Sequence, residues 1–180
     1  IEMCCPARKD DALASFELWM SQAVGKSACD FTFHMGVTKF DDNTEAQLRE
    51  IVQRGISSFK IFLAYKGAFG VDDTELYRTL KLARELGVIV TAHCENETLV
   101  TERCKELLAA GKTDPGQHHE SRPPAVEAEG VHHLMTFAEL TGAAVYIVHL
   151  SCKESLDQST AARQRGVRVG IETLIQYLLL

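Results

Sequence analysis

The chain has 180 residues, 46% of them hydrophobic, enough for one sizeable core and too few for two ordinary domains. Charged residues make up 24% and the formal net charge is −6, a balance that argues against a binder of phosphate backbones. No apolar run approaches the roughly 18 residues of a membrane span, and the first residues lack the apolar core of a signal peptide. Six cysteines, Cys4, Cys5, Cys29, Cys94, Cys104 and Cys152, form no CxxC pair. They read as reduced thiols in a cytoplasmic protein.

In chain order, Asp10 or Asp11 caps a first helix with an apolar face of Leu13, Phe16, Met20, Ala23 and Val24, closed by Gly25. A strand is predicted over 28–33, before it reaches His34. Thr44 and Gln47 read as a capping box for a helix ending at Gly55. The next strand covers 56–62. Asp72 or Asp73 opens a helix that Gly87 stops, and a strand over 88–93 follows. Asn96 opens a helix ended by Gly111, the polar loop GKTDPGQHHESRPP follows, and Pro123 and Pro124 lead into a long helix up to Gly142. A strand over 144–149, a helix capped by Ser151 and Glu154, and a strand over 167–172 complete the series.

The strand runs are almost continuously apolar, as in parallel sheets covered by helices. Five strands alternating with helices mean an α/β fold, either doubly wound or barrel-like. A barrel closes with eight strands. The expectation is therefore a partial (β/α)8 TIM-like barrel of about five βα units, with residues 1–180 as the central part of one domain.

Three side chains fall at or near successive strand ends: Lys60, His93 and His149. In α/β barrels such ends form the active-site face. A single histidine there is usually a hydrogen-bonded core residue, but two in step with a lysine are harder to explain by packing. A buried ammonium without a carboxylate partner is costly. Its neutral amine can take up carbon dioxide as a carbamate, an anionic ligand able to bridge two metal ions. His34 is expected beside these residues, at the same mouth, as a neighbour of the ligands. His118 and His119 are expected in solvent, and His132 and His133 on a helix surface.

Five segments resemble the hydantoinase and dihydropyrimidinase family of cyclic amidohydrolases. They are SFKIFLAYKGAFG (58–70), TAHCEN (91–96), RPPAVEAEG (122–130), IVHLSC (147–152) and ETLIQYLLL (172–180). The resemblance implies a carboxylated, metal-bridging Lys60, with His93 and His149 on one of two divalent ions, zinc first, with manganese, nickel or cobalt as substitutes. It implies that Tyr65 stabilises an oxyanion and that Phe62 and Phe69 shape the pocket for the substrate's exocyclic group. The implied reaction is hydrolytic opening of a dihydropyrimidine or hydantoin ring, by a homo-oligomer, dimer or tetramer. Leu174 and Ile175 stand where many relatives have Cys and Pro. The family's His-x-His pair and its later Asp are expected outside these 180 residues, which alone should be inactive. The rival readings are an allantoinase or dihydroorotase, or a related non-catalytic interaction protein. Retention of Lys60, His93 and His149 speaks against the last.

Overall fold

The computed structural model describes residues 1–179. The described residues form six strands: β1 (Glu2–Cys4), β2 (Phe33–Gly36), β3 (Ser58–Phe62), β4 (Ile89–His93), β5 (Ala144–Ile147) and β6 (Val169–Ile171). They make one sheet in the order β1-β2-β3-β4-β5-β6, and every pairing is parallel. A doubly wound sheet reverses its strand order at a switch point. This one never does. With right-handed crossovers, monotonic order puts every helix on one side, as in an open section of a (β/α)8 barrel. No described helix is long and apolar enough to cross a membrane.

The helices are α1 (Ala12–Ala23), α2 (Asp42–Gln53), α3 (Asp73–Leu86), α4 (Glu97–Ala109), α5 (Gln117–Ser121), α6 (Pro124–Thr141), α7 (Lys153–Gln164) and α8 (Ile175–Leu179). Asp11, Asp41, Asp72 and Asn96 each accept a backbone N–H at a helix start, relieving donors that have no partner inside the helix. Asp72 and Glu75 complete a reciprocal capping box.

The two faces of the sheet differ in kind. Phe33, Met35, Phe59, Ile61, Val90, Ala92, Val145, Ile147 and Val169 point toward the helices and build the core with Leu48, Ile51, Leu76, Leu80, Leu134 and Met135. The alternate residues, His34, Ser58, Lys60, Thr91, His93 and Tyr146, share the opposite face by strand register. Gly170 lies in register with Tyr146. A Cβ there would stand 2.5 Å from that ring, so the glycine makes room for it. The polar face is the interior side of the barrel section.

Several sequence expectations are corrected. The chain opens on the strand β1, too short to show alternation, rather than on a helix. The strand expected over 28–33 lies at Phe33–Gly36 instead, because 28–31 are exposed and lie outside the sheet. Thr44 is not a cap: Asp41 is, and the Gln47 side chain accepts from the backbone N–H of Ala12 instead. Cys152, not Ser151, precedes α7, with no side-chain cap. Part of the polar loop before Pro123 forms the short helix α5.

Candidate metal centre

Lys60 sits mid-strand in β3 rather than near its end. It is level with Gly36 on one side and Thr91 on the other. It is 6% exposed. Its ammonium lies 4.8 Å from the centre of the Phe62 ring, one layer nearer the strand end. Burial pushes its pKa down to about 8, against weaker upward pulls from Cys94, Glu172 and Cys5. Desolvation of the charged form wins because, among the described residues, no carboxylate hydrogen-bonds to it. The absence of a close acidic partner was legible in the sequence.

His93 ends β4, level with Phe62. His149 lies two residues beyond β5, in the left-handed region at φ 46°, so the strand stops short of the predicted 149. That backbone turn brings the two imidazoles together. His93 Nδ1 is 3.1 Å from His149 Nε2, and the ring centres are 4.9 Å apart. Burial first, then the charges of His93 and Lys60, lower the His149 pKa. His34 does not end its strand. It pairs with Met3 and sits a layer below Lys60, with Nδ1 2.6 Å from Ser58 Oγ.

The aromatic residues gather around His93. Tyr65 is held at φ 64°, with its ring 5.4 Å from that of His93. Its backbone N–H donates to Glu97. The Phe62 ring is 5.9 Å from His93 and 6.0 Å from Phe69. Phe69 is 42% exposed, so packing does not explain it, whereas Phe62 is half-buried. A cleft of about 770 Å³ opens over this group, walled by Tyr65, His93, Glu95, Arg122, Glu127, His149 and Tyr177 among others. Lys60, Phe62 and Phe69 lie outside its wall, and the two phenylalanines reach it only through their contacts with Tyr65 and His93.

Sequence reasoning gave no role to several of these residues. Glu95 accepts a hydrogen bond from His93 Nε2 at 2.8 Å and pairs with Arg122 at 3.3 Å. Glu127 accepts from the backbone N–H and the hydroxyl of Ser151. His118 and His119 are exposed as expected but also border the cleft. His132 and His133 lie on α6 and meet Gln158 and Asp73. The acidic residue two places after His93 was the available signal, since a carboxylate that close to a histidine can fix its tautomer.

The donor set suits a divalent cation. Among the described residues no three His, Cys, Asp or Glu side chains converge on a metal-holding group. The two facing imidazoles are the convergent donors, and Lys60 is near enough for its charge to lower the His149 pKa. Two imidazole nitrogens on one tetrahedral ion, each at about 2.05 Å, stand about 3.3 Å apart. The observed 3.1 Å between the facing nitrogens is close to that bite. The carboxylate on the far nitrogen of His93 is the usual companion of a ligating histidine.

Helix α6 crosses tightly over the exit of β4. A Cβ at Gly130 would stand 2.7 Å from the Glu95 nitrogen and 2.8 Å from the Cys94 carbonyl carbon. Gly130→Ala should therefore push α6 off the β4 exit. The expected loss is about 1–3 kcal/mol, the usual cost of overpacking, measured by denaturant unfolding. Unchanged stability would mean that this crossing is loose.

No protein-family model matches the chain. A D-hydantoinase of Geobacillus stearothermophilus is 37% identical over 181 residues, covering 100% of this chain and 38% of that protein. A dihydropyrimidinase of Dictyostelium discoideum is 36% identical over 170 residues, covering 94% of this chain and 34% of its own length. Among solved structures, a D-hydantoinase (dihydropyrimidinase) from Thermus sp. superposes with a TM-score of 0.96 and 62% identity, over 99% of this chain and 39% of that one. The chain spans under two fifths of the length of the curated relatives it matches.

Proposed function

The chain belongs, over the residues it spans, to the hydantoinase and dihydropyrimidinase family, and from this premise we propose that it carries part of a metal-dependent site that hydrolyses the amide bond of a cyclic diamide such as a dihydropyrimidine or hydantoin. The observation that carries the reading is the facing pair His93 Nδ1 and His149 Nε2, 3.1 Å apart above the buried Lys60. His93 and His149 would hold one divalent cation, zinc by preference for nitrogen and oxygen donors. Lys60, as a carbamate, would hold it together with a second. When bound, the cations supply Lewis acidity and activate water.

The protein's own groups do the rest. Tyr65 is 37% exposed at the cleft and offers its hydroxyl to the ring carbonyl oxygen as negative charge grows there. Phe62 and Phe69 give the exocyclic substituent an apolar wall. Burial keeps the Lys60 pKa at about 8, so the neutral amine that forms a carbamate is accessible near physiological pH. The complete protein would act as a homo-oligomer, a dimer or tetramer, in the cytoplasm.

The test is to strip the protein, at its full natural length, of metal, reload it with zinc or manganese, and follow ring opening of dihydrouracil and hydantoin. Metal-dependent release of the N-carbamoyl product is expected. Hydrolysis of allantoin or dihydroorotate in preference to both rings, or of no ring at all, would overturn the assignment.

A further inference from the structure

His93 is gripped from the side opposite His149. Glu95 follows it by two residues, past the end of β4, and is 9% exposed. One carboxylate oxygen lies 2.8 Å from His93 Nε2. The other lies 3.3 Å from Arg122 Nε. Arg122 directly follows α5 and precedes Pro123, the cap of α6, and its Nη1 donates to Ser121 Oγ at 2.9 Å and lies 3.4 Å from His118 Nδ1. The Glu95 backbone lies under Gly130 of α6, and the Asn96 N–H donates to the Val126 carbonyl at 3.2 Å. The carboxylate is thus fixed by its own backbone and by Arg122.

A carboxylate only accepts hydrogen bonds. The short contact therefore puts the imidazole proton on Nε2 and leaves Nδ1, the nitrogen facing His149 at 3.1 Å, with a lone pair in place of an N–H. The opposite tautomer would turn one lone pair against an anion and aim an N–H where a cation has to sit.

We propose that Glu95, held in place by Arg122, is a positioning residue that locks His93 in the tautomer with Nδ1 free, so that the junction of α5 and α6 sets how tightly the cation is bound. The inference rests on the reading of His93 and His149 as ligands. It concerns neither residue's contact with substrate, which Glu95 does not need.

The experiment uses the full-length protein labelled with 15N at histidine, with His93 assigned by comparison with His93→Gln. In the metal-free form at mildly alkaline pH, His93 should show a single tautomer with the proton on Nε2. Glu95→Gln keeps the shape but lets the side chain donate as well as accept. It should mix the tautomers and weaken zinc binding, measured by chelator competition, about 10–100-fold, the usual effect of losing such a partner. Arg122→Gln should act in the same direction and more weakly, and gives a second route if Glu95→Gln folds poorly. Wild-type zinc affinity in a folded Glu95→Gln protein, or a wild-type His93 protonated on Nδ1, would overturn the proposal. A wild-type protein that binds no zinc would instead refute the ligand reading, while the tautomer signal would still decide the lock.

Discussion

Lys60→Ala should empty the site and abolish ring opening, and short carboxylic acids should restore part of both. The lysine is buried, has no hydrogen-bonded carboxylate among the described residues, and is held at a pKa of about 8. As a carbamate it would contribute two oxygens sharing one negative charge, and no other described side chain at that level of the sheet offers a carboxylate. Metal content by elemental analysis should fall together with activity, and a small carboxylate diffusing into the space should raise both. A Lys60→Ala protein that keeps its metal and turns over normally would end the carbamate reading. The free amine has its own signature. In metal-free, carbonate-free protein the folded pKa lies below the unfolded one, so the cost of burying the ammonium is fully present below about pH 8. It is relieved as pH rises toward the unfolded value. The shift from 10.5 to about 8 corresponds to a cost of about 3 kcal/mol. Stability should therefore climb over that window, and Lys60→Met should remove the climb.

Tyr65→Phe should lower turnover about 10²–10³-fold, the usual cost of one lost oxyanion donor, while metal content stays near wild type. The ring stays against His93, 5.4 Å between centres, so packing is preserved and only the hydroxyl is lost. The separation of effects is the point of the experiment. A fall in metal content with turnover per bound metal unchanged would make Tyr65 a structural prop for His93 and would remove it from the chemistry.

Most of the fold was legible because local chemistry and tertiary structure agree there. Asp11, Asp72 and Asn96 cap where their side chains lead one to expect, and Gly87 and Gly142 take up the left-handed turns that end α3 and α6. The two capping errors share one physical origin: polar side chains whose partners lie far away in sequence. Gln47 looked like half of a capping box but reaches back to the start of α1. Ser151 looked like a cap but donates to Glu127 on α6. β1 is three residues long and shows itself only through its pairing with β2. At the site, His93 and His149 could be read from their strands, and Lys60 from its lack of a local acid. Glu95 left a local trace, two residues after His93, but the grip of Arg122 on it could not be read. It exists only because α5 returns the chain to the exit of β4.

Two of the residues at the cleft stand in a backbone conformation that suits glycine better. Tyr65 and His149 are the non-glycine residues with positive φ among those described, at 64° and 46°. Holding an L side chain in such a region carries a conformational cost of order 1–3 kcal/mol where the residue is bulky. The protein maintains that tension where a tyrosine and a histidine must project into the opening. Any selection for heat resistance alone, blind to turnover, will therefore find its readiest gains at positions 65 and 149, by replacing them with glycine. On the proposed reading, each such gain would discard a metal ligand or an oxyanion donor. If the proposed roles hold, thermal robustness and catalysis compete for the same two peptide units.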